Sequence, residues 1–224
     1  MRIYLTLLTG FILLQACNNS ADNTNGIDTV QSAPGEEEEI SETAALQQSF
    51  PSLFTYLQSQ DSSFAVENFI ETEMYNLPQN EPFPVGEELK AFSDYLIYNS
   101  DSSLALDLYS NNYLLRKRDG REIMQRGEPD TEIVLVDSKK NTEQRLLFTG
   151  PSVSIMDAKW ISLQELMIAG AEEIGNRRVK PVLWKVNLSD STVQLFSYPD
   201  TVSAKTHLYA EEKIKQLKPA ASLE

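Results

Sequence analysis

Val134–Gln144 reads VLVDSKKNTEQ, and Trp184–Gln194 reads WKVNLSDSTVQ. At an offset of 50 residues, Val136, Thr142 and Gln144 recur as Val186, Thr192 and Gln194. Each stretch places an apolar, β-branched run before a cluster of Ser, Asp, Asn and Lys and returns to a second such run. That is the pattern of two strands joined by a turn. Each of these hairpins is preceded by another, Tyr95–Ser110 and Trp160–Ala171, so two units of four strands can be drawn. The expected strands across 94–199 are Tyr95–Asn99, Leu104–Ser110, Tyr113–Arg116, Glu132–Asp137, Gln144–Thr149, Asp157–Ser162, Glu165–Ala171, Val182–Leu188 and Thr192–Tyr198. Ser100–Ser103, Lys139–Asn141 and Ser189–Ser191 supply the turns.

Working outward, 42–75 reads as helical. Phe50, Leu53, Phe54 and Leu57 fall at i, i+3, i+4 and i+7 on one helix face. Ser49 is a candidate N-cap, and Pro51 suits a first turn. A second short amphipathic segment is expected over Phe64, Phe69, Ile70 and Met74. Residues 76–93 carry Pro78, Pro82 and Pro84 and read as an extended connector. On the C-terminal side, 203–217 reads as a helix with Ser203 as cap, an apolar face of Leu208, Ile214 and Leu217, and Lys213, Lys215 and Lys218 toward its end.

Trp160-Ile161-Ser162 followed by Leu166-Met167-Ile168-Ala169-Gly170 resembles a β-propeller blade of the TolB-like and peptidase-associated kind, as does 94–199 as a whole. Propellers close with four to eight blades, and this chain has material for about two. The expected fold class is therefore α+β, mainly antiparallel β: one β-meander sheet or a two-sheet sandwich with flanking N- and C-terminal helices.

The N-terminus reads as an address. After Arg2, the 14 residues Ile3–Ala16 carry no charge. As a helix they would reach roughly 21 Å, short of the ~30 Å hydrocarbon core, and this length suits a signal-peptide core. Leu14-Gln15-Ala16-Cys17 resembles the lipobox of bacterial lipoproteins, with Gln15 a less usual occupant of its position. The resemblance implies diacylglyceryl transfer to the Cys17 sulfur, cleavage before it and acylation of the new amino group, which together give stable membrane anchoring. By the enteric sorting rule, Asn18 rather than Asp after the cysteine implies the outer membrane. Residues 1–16 are thus a signal peptide and 17–41 a lipidated, acidic tether. The remainder, 42–224, is one globular domain. The tether, NNSADNTNGIDTVQSAPGEEEEIS, is too poor in apolar residues to fold by itself and would span roughly 25–30 Å. Its acidic run Glu36–Glu39 fits a solvated linker, a repellent for anionic lipid or a dock for a basic partner.

Composition and motifs narrow the chemistry. Net charge is −14 with a pI near 4.5, which argues against general nucleic-acid binding. Cys17 is the single cysteine, so neither an intramolecular disulfide nor a cysteine metal cluster can form. His207 is the single histidine and reads as a helix-surface residue. No nucleophile elbow, phosphate loop or dinucleotide fingerprint occurs, and no catalytic, cofactor or metal residue is assigned. Calcium binding through Asp101 or Asp137 lacks a recognisable loop. Positive charge nevertheless clusters. Arg116, Lys117, Arg118, Arg121 and Arg126 fall between the strand pairs of the first unit, and Arg177, Arg178 and Lys180 at the equivalent place in the second. If both loops share a rim, it would suit an anionic surface, glycan or acidic partner; nearby Asp119, Glu122, Glu128, Asp130, Glu172 and Glu173 could equally neutralise it. The function expected is a non-enzymatic, lipid-anchored envelope protein that binds a ligand or partner. The alternative is a carboxylate-based hydrolase of envelope glycans or peptides.

Overall fold

Leu166–Ala171 is a run of six buried residues, the signature of a strand covered on both faces. The run lies at the heart of a computed structural model that describes residues 42–118, 121–127, 130–217 and 222–223. Residues 1–41, with the expected signal peptide, Cys17 and the expected tether, lie outside the described residues.

The chain is mainly antiparallel β with helices toward both ends. In order, the elements are α1 (Glu42–Ser49), α2 (Pro51–Gln60), β1 (Ile70–Asn76), β2 (Phe83–Pro84), α3 (Glu87–Ala91), β3 (Ile97–Tyr98), β4 (Leu104–Asp107), β5 (Tyr113–Arg118), β6 (Arg121–Arg126) and β7 (Thr131–Asp137). They continue with β8 (Thr142–Thr149), β9 (Val153–Trp160), β10 (Glu165–Gly175), β11 (Arg178–Asn187), β12 (Thr192–Ser197), β13 (Val202–Ser203), α4 (Thr206–Leu217) and β14 (Ser222–Leu223). One sheet runs β1-β12-β11-β10-β9, with β13 added to β11; a second runs β2-β8-β7-β4-β3; a third is the β5-β6 hairpin with β14 parallel to β6. The two four-strand units drawn from the repeat are thus the meanders β3-β4-β7-β8 and β9-β10-β11-β12. Each is extended at its outer edge by an earlier strand.

Alternation along the strands divides the core. Even-numbered residues of β10 and β11, Leu166, Ile168, Val182 and Trp184, join Leu106 and Ile133 of the second sheet in one apolar cluster, so the two large sheets share a core. Odd-numbered residues, Met167, Ala169, Ala171 and Leu183, face the other way and meet Leu53, Phe54 and Leu57 of α2. The helix face expected from the Phe50–Leu57 spacing is buried as that spacing requires. A smaller cluster of Leu89, Ala105, Val134 and Val136 lies on the far face of the second sheet.

The repeated hairpins have one turn chemistry. Asp137 Oδ1 accepts from the Lys139 and Lys140 amides at 3.0 and 2.9 Å, and Asn187 Oδ1 from the Ser189 amide at 2.9 Å. Asn141 and Ser191 close the two turns at φ 54° and 59°. The β10–β11 turn is instead a two-residue connection with Asn176 at φ 53° and Arg177 at φ 60°, the mirror-image turn that asks for positive φ at both positions. Arg177→Gly removes the Cβ penalty of that conformation and, net of added freedom in the unfolded chain, is expected to stabilise by about 0.5 kcal/mol. Thermal unfolding would record a rise of roughly 1–2 °C.

Several expectations are corrected. Val66–Asn68 is a single 3-10 turn and Ile70–Asn76 is a strand, so helix does not continue to 75; pairing with β12 supplies the hydrogen bonds a helix would have made internally. Ser49 does not cap α2: it is the last residue of α1, its hydroxyl donates to the Ala45 carbonyl, and Phe50 holds the cap position. The connector 76–93 contains β2 and α3. Ser203 does not cap α4, because it belongs to β13 and its amide donates to Asp61 Oδ2 at 3.1 Å. The basic segment 116–126 is not a loop but the β5–β6 hairpin.

Candidate functional site

The corner between β4 and β5 is locked by two buried polar side chains. Asp107 accepts from the amides of Tyr109 and Ser110 at 2.9 and 3.0 Å and from the Ser110 hydroxyl. Asn112 Nδ2 donates to the carbonyls of Leu108 and Glu132 at 2.7 and 2.8 Å, and its Oδ1 accepts from the Glu132 amide at 2.8 Å. The corner thereby projects Tyr109 and Tyr113. Their rings, 5.9 Å apart, end a ladder that runs Phe92, Tyr95, Tyr109, Tyr113. Tyr95 donates to Glu122 Oε1 at 2.7 Å.

Beyond these rings lies a cavity of about 340 Å³. Leu108, Ile155, Met156 and Ala210 form its apolar surface, and Thr206, His207 and Glu211 of α4 close one side. Arg126, Asp130 and Glu173 complete its polar lining. Tyr109 is only 9 % exposed, and among the described residues neither its hydroxyl nor that of Tyr113 has a hydrogen-bond partner, which leaves both phenols to the cavity. Burial pushes both phenols up from their ordinary value; for Tyr113 the Arg126 charge partly opposes this. Both are therefore protonated donors throughout the physiological range.

The helix wall is held from beneath. Tyr209 donates to Asp157 Oδ2 at 3.1 Å, and Lys213 pairs with the same oxygen at 3.0 Å. Tyr209 also packs on Tyr56 with ring centroids 5.4 Å apart, and Ile214 is fully buried. Burial, reinforced by the Asp157 carboxylate, pushes the Tyr209 phenol up as well. Glu211 is engaged by Lys215 at 3.0 Å. Arg126, Asp130, Glu173 and His207 make no ion pair or side-chain hydrogen bond among the described residues, so the mouth offers one free cation and two free carboxylates.

The basic residues singled out in the sequence are distributed unevenly. Arg126 lines the cavity, directly across the hairpin from Tyr113. Arg116 and Lys117 are exposed farther along β5, and Arg118 and Arg121 pair across the distal end of the hairpin. Arg177 is exposed in the β10–β11 turn. Arg178 is bound to Thr201, its Nε donating to Oγ1 at 2.5 Å and its Nη2 to the carbonyl. Lys180 lies opposite Glu172.

Asp101 and Asp137 serve the turns. Asp101 Oδ1 accepts from the Ser103 amide at 2.9 Å and from its hydroxyl at 2.5 Å. The Ser103 hydroxyl and amide hold the Asp101 carboxyl below the usual range, and the Lys140 ammonium and amide do the same for Asp137. Among the described residues no His, Cys, Asp and Glu group could hold a metal ion. The one carboxyl among the described residues that burial pushes up is Glu143, and it lines a separate depression with Asp137, Lys139 and Lys140.

Tyr109, Tyr113, Asn112 and Glu211 were not singled out as site residues in the sequence, and Asp130 and Glu173 were named there only as neutralisers of the basic clusters. The Tyr-Ser-Asn-Asn-Tyr stretch at 109–113, a turn flanked by aromatics, was the available local signal.

No family model matches the chain, and no curated protein matches it in sequence. Among solved structures, a Clostridium novyi NT protein inferred to be a conserved lipoprotein is similar over 57% of this chain and 71% of its own, at 11% identity and a TM-score of 0.28. A likeness this loose carries neither fold nor function.

Proposed function

We propose that this chain is a lipid-anchored protein of the bacterial envelope whose folded domain, 42–224, is a non-enzymatic ligand-binding module. Cys17, at the end of the Leu14-Gln15-Ala16-Cys17 motif, supports the anchor, and Asn18 favours the outer membrane. The observation that carries the binding role is the cavity lined by Tyr109, a largely buried residue whose hydroxyl has no hydrogen-bond partner among the described residues. An acceptor brought by a ligand would gain a hydrogen bond there, worth about 0.5–1.5 kcal/mol net. Volume, apolar surface and a few convergent polar groups suit a small-molecule site.

The test begins with fractionation and affinity capture from native membranes, using the full chain and Cys17→Ser. The wild-type chain is expected in the membrane fraction with an acyl-modified N-terminal residue, and Cys17→Ser in the soluble fraction. Capture of the same envelope component by both forms would support binding by the domain. Capture by the lipidated form alone would move the role to assembly in the membrane. Turnover of glycan or peptide substrates would favour the hydrolase reading over this one.

Arg116, Lys117, Arg118, Arg121, Arg126, Arg177, Arg178 and Lys180 remain the proposed surface for an anionic partner, with Arg126 shared by the cavity. Replacing the exposed members Arg116, Lys117 and Arg177 with Ser is expected to weaken association with anionic vesicles and make the remainder less salt-sensitive. Unchanged association in a vesicle sedimentation assay would sink this part.

A further inference from the structure

We infer that the cavity selects a zwitterion with an apolar body, an α-amino acid or short peptide, holding its carboxylate at Arg126, Tyr113 and Tyr109 and its ammonium at Glu173 and Asp130. The inference rests on the reading of the cavity as a ligand site and adds the chemical class of the ligand.

The polar groups are of two kinds. Tyr113 and Arg126 are paired across the β5–β6 hairpin, so their side chains leave the same face. Next to Tyr113, ring centroids 5.9 Å apart, is Tyr109, whose unpartnered phenol is a donor toward the same space. Two neutral donors and a guanidinium together make a carboxylate receptor, because all three can donate to an anion and only the phenols could accept. Thr206 and His207, the first residues of α4, bring the positive end of that helix to the same cavity. The acceptors are different groups: Glu173 near the end of β10, and Asp130 just before β7, neither of them paired. A ligand with only an anionic group would leave these carboxylates unmatched, and one with only a cation would leave the guanidinium and the phenols unmatched. Leu108, Ile155, Met156 and Ala210 line the cavity where the ligand's body would lie, and a volume of about 340 Å³ sits at the small end of ligand sites.

The experiment is titration calorimetry of the full-length chain with three probes of one body: L-phenylalanine, 2-phenylethylamine, which lacks the carboxylate, and 3-phenylpropanoate, which lacks the ammonium. The dipeptide Phe-Phe is a fourth probe, which separates a free amino acid from a peptide terminus as the source of the zwitterion. L-phenylalanine or the dipeptide is expected to bind about tenfold or more tightly than either singly charged probe. Tyr109→Phe and Arg126→Gln should each weaken the zwitterion about tenfold and leave 2-phenylethylamine unchanged, whereas Glu173→Gln should weaken the zwitterion and spare 3-phenylpropanoate. Arg126 and Glu173 are exposed, so unchanged melting curves can certify that these variants fold. Equal binding of all probes, displaced by Tyr109→Trp, would overturn the zwitterion and leave the cavity a ligand site. If no probe binds, both the ligand class and the cavity's role fall.

Discussion

Gly170→Ala is expected to cost about 3 kcal/mol of stability and to lower the melting temperature by roughly 6–12 °C. Gly170 lies in the central strand β10, between β9 and β11. A Cβ there would stand 2.9 Å from the Ser154 carbonyl oxygen and 2.9 Å from Trp184 Cζ3, with Cη2 at 3.2 Å. Real Cβ atoms do not approach backbone this closely, and neither neighbour can give way cheaply. Ser154 is fixed by the β9–β10 ladder, and the Trp184 ring is buried in the core that both large sheets share. A larger side chain should cost more, because overpacking in a filled interior is relieved only by moving backbone. Gly150→Ala is the control: nothing lies within 4 Å of its Cβ, and the change should stay within about 0.5 kcal/mol. Denaturant unfolding of the two variants side by side decides the matter. Equal midpoints would mean that the tryptophan and the sheet are not in the tight contact described.

Asn112→Ala is expected to cost a similar amount, about 3 kcal/mol, for the opposite reason. It creates no clash; it strands the Leu108 carbonyl and the amide and carbonyl of Glu132, which Asn112 now satisfies. Asn112→Asp separates lost packing from lost bonding. A carboxylate of nearly the same shape can still accept from the Glu132 amide, yet it faces two carbonyls with nothing to donate. Its folded-state pKa should be raised, so the deficit should shrink as pH falls and the group gains a proton. Urea midpoints measured at neutral and acid pH would show this, whereas a pH-independent deficit would implicate shape alone. Since Asn112 fixes the corner that carries Tyr109 and Tyr113, both variants should also blunt ligand binding at temperatures where the rest of the domain is folded.

What the sequence disclosed follows from the range over which each determinant acts. The hairpins β7–β8 and β11–β12 were legible because their causes are local: Asp137 or Asn187 opening the turn, and Asn141 or Ser191 at positive φ closing it. The α2 face was legible because four large apolar residues share one helical stripe. β1 was misread because Ile70 and Met74, spaced four apart, satisfy a helical template, while the residues that make the segment a strand lie in β12. Most of β1 is exposed, so no alternation of burial was available to betray it. The β5–β6 hairpin was hidden by its charge, although Asp119-Gly120 between two runs is a hairpin signal in its own right. The cavity was the least legible feature. Its walls come from the β4–β5 corner, from β9 and β10, and from α4, and no motif links them. Arg126 was singled out for its sign and His207 for its rarity; the tyrosines and Asn112 acquire meaning only once the corner is folded.

The pairing of β1 with β12 also dictates an order of events in time. Ile70 finds its partner at Ser197, and Phe54 of α2 shares a core with Phe196 and Tyr198. A chain delivered N-terminus first, from a ribosome or through a membrane pore, therefore holds its leading helices and first strand without a seat until nearly all of it has emerged. The interval is lengthened by the slow search that distant partners impose on β-rich domains. Throughout it, Phe50, Leu53, Phe54 and Leu57 are bare to any chaperone or protease that waits at the exit. The closing stretch of this polypeptide thus decides whether its opening stretch survives.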